Sequence, residues 1–346
     1  MTSTTSLRRW DFTLRLEDSV ALAFFLVFLT MRLIFRESQP RQMGAATDMA
    51  LVGVAALFLK EVFHQALSGK SYRATSAADV KDFAHPYWEI ARDWFPFVVI
   101  LVMYYSLYGD ATHLLVRRDQ DAALIALDQK LFGLQASVAL QRFITPPLTA
   151  WMRFNYSMHL LYIPLVAGFI YLRRPRAQFR RMMCGLVTLC FFGFLGYLLV
   201  PAVGPMFTLS GQYHVPLAQS NAAFSGPAGF MDMARIQRDS FPSMHVAISF
   251  LIWIYAGINS RRLFWILSPF IVSLWVSTVY LRYHYVVDCI AGLLLAPVCF
   301  FLANRLFGKV ADMHFSVALP EKLAEWLPRR NGIAPGDMAE ESRQPS

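Results

Sequence analysis

Charge is scarce in this chain. Of its 346 residues 16% are Asp, Glu, Lys or Arg, against about a quarter in an ordinary soluble domain. A soluble globular fold is thereby excluded. Cysteine is scarce too: Cys184, Cys190, Cys289 and Cys299 all fall inside apolar segments. Their spacing fits neither a disulfide framework nor a zinc site, and buried membrane cysteines behave as small hydrophobes. No repeat of fixed period is present. No small-residue cleavage site follows Arg8, Arg9 and Arg15, so the first apolar run reads as a retained helix rather than a removed leader.

What the chain has instead is apolar length. Hydrophobic residues make up 56% and aromatics 15%, and runs approaching the ~20 residues of a membrane-spanning helix recur. They lie near 19–35, 46–66, 94–109, 154–172, 182–202, 243–259, 264–281 and 285–304. The expected fold is an all-α, multi-pass transmembrane bundle. The expected division is an N-terminal region over 1–92 with about two spans, a catalytic membrane domain over 93–310, and a polar, disordered tail over 311–346.

The net charge of +9 sits at the ends of apolar runs, in Arg173-Arg174-Pro175-Arg176, Arg180-Arg181 and Arg261-Arg262. That is the cytoplasmic bias of membrane proteins rather than a nucleic-acid surface. It places both termini inside and the loops 110–150 and 203–242 outside, in a cell membrane. Segment 110–150 is too polar to span, and its part 122–133 reads as an amphipathic interfacial helix.

This topology brings three distant residues to one depth on the outer face. His245 opens the sixth run, and His284 and Asp288 lie where the seventh ends and the eighth begins. Ionisable side chains at membrane depth are costly and usually functional. With His284 and Asp288 four apart on a helical turn, the carboxylate orients the imidazole and frees its other nitrogen as a nucleophile. The bland alternative is a hydrogen bond stitching two helices. His245 supplies the acid that protonates a leaving alkoxide. Ser243, behind Pro242 at a helix start, offers a hydroxyl and free amides to phosphate oxygens. Phosphoryl transfer at a bilayer surface fits this set, and it needs neither metal nor cofactor.

Phe241-Pro242-Ser243-Met244-His245 and Ser277-Thr278 with His284 and Asp288 resemble the type 2 phosphatidic acid phosphatase superfamily. Its second motif is Pro-Ser-x-His and its third is Ser-Arg, five residues, His, three residues, Asp. Gly292 matches a glycine common one turn later. The resemblance implies six core helices, His284 as nucleophile, Asp288 as its partner and His245 as acid/base. Two features depart from it: Thr278 replaces the motif's arginine, and the first motif (Lys, six residues, Arg-Pro) is absent. Arg282 and Arg238 are the candidate replacements for holding phosphate, with snorkelling to headgroups as the alternative for both.

The same departures, with Asp128-x-x-Leu131-Phe132-Gly133 and Gly204-Pro205, resemble the inositol phosphorylceramide synthase branch. That branch implies transfer of a phospho-headgroup between lipids, of inositol-phosphate type. Lipid phosphate hydrolysis by the same residues is the alternative. A lipid transporter or scramblase is a remote one, since no inverted repeat is evident and the polar residues gather at one interface. Tyr283 walls the pocket in this reading. His159, on the outer half of the fourth run, either lines the site or hydrogen-bonds a neighbouring helix. The expected partners are membrane lipids.

Overall fold

The computed structural model describes residues 7–34, 89–101, 104, 115–217 and 238–320. The apolar run at 46–66, the latter part of the run at 94–109 (apart from 104) and the tail from 321 onward lie outside the described residues.

Eight principal helices follow in order: α1 (Leu16–Ile34), α2 (Asp121–Phe132), α3 (Pro146–Ser157), α4 (His159–Arg173), α5 (Arg176–Leu199), α6 (Met244–Asn259), α7 (Arg261–Tyr280) and α8 (Val286–Lys309). Helices α5, α7 and α8 are long and apolar enough to cross a membrane. A 24-residue helix such as α5 or α8 is about 36 Å long, enough for a hydrocarbon core of about 30 Å. The protein is an all-α membrane bundle.

Helix α6 is its hub, packing on α4, α5, α7 and α8. Val246, Ala247, Leu251 and Ile252 on α6 are fully buried. Helix α5 is buried along most of its length, and α7 and α8 turn large apolar side chains outward, with Trp265, Leu294 and Phe301 more than half exposed. An outward apolar face of that kind is stable in lipid and not in water.

The helix starts carry ordinary stop-and-start chemistry. Pro146 and Pro147 open α3, where a missing N–H costs nothing. Ser260 caps α7 by accepting from Leu263 N. The run expected as one piece from 154 is instead broken at Met158 between α3 and α4. Segment 110–150, expected as a loop with one amphipathic helix, holds α2, a short turn of helix over 136–143 at 69° to it, and the start of α3. Helix α2 is inverted relative to a soluble surface helix. Asp121, Leu124 and Asp128 face inward while Leu127, Leu131 and Phe132 are exposed.

On the basic side, Arg180 Nε donates to Glu17 Oε1 at 2.6 Å, tying α5 to α1. A separate small unit contains strand β1 (Leu7–Arg15) and strand β2 (Asp312–Pro320), antiparallel with Leu7 opposite Pro320 and Arg15 opposite Asp312. The start of the tail, expected to be disordered from 311, is therefore paired over 312–320. Its Met313-His314-Phe315-Ser316-Val317 stretch alternates apolar and polar residues, which suits a strand. Within the same unit Arg15 Nη1 donates to Asp93 Oδ1 at 2.5 Å.

Candidate active site

The site forms where the N-termini of α4, α6 and α8 meet the C-termini of α5 and α7. Ser243 N donates to Asp288 O at 3.0 Å, joining the starts of α6 and α8 directly. The approach is close enough to demand glycine at 292. A Cβ there would lie 2.5 Å from Ser243 O and 3.2 Å from Ala247 N. Gly196 on α5 makes similar room for Pro242, whose Cδ would sit 2.5 Å from a Cβ; the Phe241–Pro242 peptide is cis. Replacing Gly292 by alanine should lower stability by about 1–3 kcal/mol, as overpacking against backbone does. Thermal unfolding in detergent checks this: an unchanged midpoint would contradict the close approach.

His284 hangs on the turn between α7 and α8. Its backbone N and that of Tyr283 both donate to Thr278 O, at 3.1 and 3.0 Å, so the residue standing where the motif has arginine anchors the turn by its carbonyl. Thr278 itself is buried, its hydroxyl donating to Trp275 O at 2.7 Å.

The expected pairing of His284 with Asp288 needs correction in one respect. His284 is not on a helical turn, because α8 begins at Val286 and its N-cap Tyr285 is extended. Its Nδ1 donates to Ser240 O at 2.8 Å, while Asp288 Oδ2 lies 3.5 Å away. Asp288 Oδ2, beside the ring, also accepts from Ser240 Oγ at 2.7 Å and Tyr285 N at 2.9 Å. Ser240 thus stands between the two, its carbonyl on the imidazole and its hydroxyl on the carboxylate. A proton held on Nδ1 by a carbonyl leaves Nε2 with its lone pair. The His284 tautomer is therefore set mainly by a backbone group. Sequence spacing did not single out Ser240, although it lies three residues before Ser243.

His245 is in the first turn of α6, and its ring centroid is 5.6 Å from that of His284. Tyr156 stacks on His245 at 4.4 Å and on Tyr283 at 4.6 Å. His159 lies 4.2 Å from His245, its Nδ1 held by Tyr156 O at 3.1 Å. His159 and Tyr283 are therefore both brought to the histidine pair. Tyr156, three residues before His159, is an addition that only the geometry reveals.

Ser243 is fully buried, and its Oγ has no hydrogen-bond partner among the described residues. It is the N-cap of α6 without making a side-chain cap bond. A buried hydroxyl left open at a helix start is costly, and it is ready for an anion. Oδ1 of Asp288 is likewise buried and unpartnered.

The two candidate arginines differ. Both stand at positive φ, 81° for Arg238 and 69° for Arg282, reversing the chain sharply. Arg238 is turned away: Nε pairs with Asp119, Nη2 donates to Arg117 O at 2.7 Å, and Nη1 to Val116 O at 3.4 Å. It clamps the segment before α2, and its nitrogens are engaged there rather than beside the histidines. Arg282 lies over the Tyr213 ring at 4.0 Å and gives Nη2 to Val215 O, but its Nε is buried without a partner among the described residues. Burial lowers the Arg282 guanidinium from its ordinary value and raises the Tyr213 phenol.

Helix α2 contributes carboxylates that hold the site's backbone. Asp121 accepts from Val203 N, Gly204 N and the Tyr285 hydroxyl at 3.0, 2.9 and 2.8 Å. Asp128 accepts from Val286 N and Val287 N at 3.0 and 2.9 Å. Burial holds the Asp128 carboxyl above its ordinary value, the two amide bonds offsetting part of that rise. Among the described residues no group of three or more His, Cys, Asp or Glu could hold a metal ion.

A family model described as PAP2 superfamily matches residues 122–302, a little over half of the chain. That span takes in α3 to α7, nearly all of α2 and most of α8. No curated protein and no solved structure matched.

Proposed function

The chain belongs to the PAP2 superfamily, of phosphatases and phosphotransferases that act on lipid phosphates, and from that premise we propose a membrane phosphotransferase working through a phosphohistidine on His284. In this reading Nε2 of His284 attacks phosphorus of a glycerophospholipid, and the bond from phosphorus to the glycerol oxygen breaks. His245 gives its proton to the departing alkoxide. A second lipid alcohol then attacks the phosphohistidine, His245 takes that alcohol's proton, and the N–P bond breaks. The observation that carries the proposal is the carbonyl of Ser240 on Nδ1, which leaves Nε2 as the reacting atom.

The phosphate seat is assigned to Ser243 Oγ, the first amides of α6 and Nε of Arg282. Of these, Ser243 Oγ and Arg282 Nε are buried without a hydrogen-bond partner among the described residues. Tyr156, Tyr283 and His159 wall the pocket. The catalytic part is 93–310, with the site on the external side and both termini cytoplasmic, as the arginine distribution favours.

Transfer rather than hydrolysis is supported by the missing first motif, by Thr278 in place of arginine, and by the aromatic wall, since a transferase must keep water from its intermediate. An inositol-phosphate type of headgroup follows the branch resemblance of Asp128-x-x-Leu131-Phe132-Gly133. The deciding experiment incubates purified protein with labelled phospholipids, with and without diacylglycerol or ceramide. A new phospholipid formed only with acceptor is the expected result. Water-soluble phosphate or phospho-headgroup released regardless of acceptor would mean hydrolysis, not transfer.

A further inference from the structure

Two helix N-termini meet at this site, and the protein treats them oppositely. Each helix start exposes amides carrying partial positive charge, which attract anions. At α8 those amides are already taken. Val286 N and Val287 N go to the two oxygens of Asp128, and Tyr285 N goes to Asp288. At α6 the N-cap hydroxyl of Ser243 is buried and without a partner.

Asp128 reaches α8 from another element, 158 residues earlier in the chain. Only 2% of it is exposed. It stands two helical turns after Asp121 on the same inward face of α2, and Asp121 grips Tyr285 and the 203–204 backbone. The turn bearing His284 and Asp288 is therefore held from outside by a pair of carboxylates on α2.

We propose that Asp128 is a positioning residue for the phosphoryl transfer: it caps α8 in trans, fixes the turn that carries His284, and by saturating that N-terminus leaves the start of α6 as the seat of the substrate phosphate. An anion at the start of α8 would meet two carboxylates, whereas at the start of α6 it meets a free hydroxyl. The inference rests on the phosphohistidine reading of His284.

The test uses the full chain in detergent with a labelled phospholipid and a lipid alcohol. Asp128→Asn keeps one acceptor oxygen but points an NH2 donor at an N–H. It should lower kcat roughly 10- to 100-fold, the scale on which misplacement of a reacting group costs rate, with KM within about twofold. Asp128→Glu restores the charge and should recover much of the loss.

Should Asp128→Asn fail to accumulate, Val286→Pro gives an independent measurement. Val286 is the first residue of α8, where proline is tolerated, so the change deletes one donor to Asp128 and keeps the helix. A several-fold fall in kcat is expected. Unchanged kcat in either variant, or a fall that merely tracks loss of folded protein, overturns the proposal. His284→Ala is run alongside. Full activity there would sink the phosphohistidine reading itself, whereas an inactive His284→Ala beside an unaffected Asp128→Asn sinks only the role of Asp128.

Discussion

Replacing His284 by alanine should abolish turnover, with kcat down by about 10⁴-fold or more, as when an enzyme loses its nucleophile. The expectation follows from how the imidazole is held. Nδ1 donates to Ser240 O at 2.8 Å, and the turn beneath it is pinned by two amides on Thr278 O. The ring is thus fixed in one tautomer with Nε2 unprotonated, and its centroid lies 5.6 Å from that of His245. Wild-type protein quenched during turnover should carry an acid-labile phosphoryl label, and His284→Ala should carry none. Label persisting in the variant, or activity above a thousandth of wild type, would mean that another group attacks phosphorus.

Much of this site was legible before any coordinates, for a physical reason. Ionisable residues are so costly at membrane depth that His245, His284 and Asp288 stand out against apolar runs, and counting loops places them at one end. The structure brings the two histidines together as that count required. The groups that hold them were not legible. Asp128 entered only through the Asp128-x-x-Leu131-Phe132-Gly133 resemblance and Asp121 not at all, because a carboxylate that accepts backbone amides from a distant part of the chain leaves no mark on local spacing. Ser240 acts on His284 through its carbonyl, which every residue possesses.

Spacing misled at two points. His284 and Asp288 are four apart, but the extended N-cap Tyr285 puts the histidine before the helix, so the carboxylate lies farther from the ring than a carbonyl does. Arg238, five residues before Ser243, looked available for phosphate. Its positive φ sends the side chain to Asp119 instead, and no glycine advertised that reversal.

The second large effect concerns His245, and its diagnostic value lies in how it depends on the leaving group. A positioned acid accelerates departure of a poor leaving group by about 10²–10⁴-fold. A glycerol alkoxide is a poor leaving group, so His245→Ala should lose about that factor on a phospholipid donor. A p-nitrophenyl phosphoester leaves without protonation, and on that substrate the same variant should lose little in the step that forms phosphohistidine. The stacking of Tyr156 on His245 and the nearness of His159 hold the ring from one side. Truncation to alanine leaves both neighbours in place. Burst-phase release of p-nitrophenol isolates that first step from the second, in which His245 acts as the base. Equal losses on both substrates would show that His245 binds phosphate rather than moving a proton. A large loss confined to the phospholipid assigns the proton transfer to His245, which then serves both half-reactions in turn: it is an acid when the donor leaves and a base when the acceptor arrives, so a single imidazole facing the phosphohistidine suffices for both.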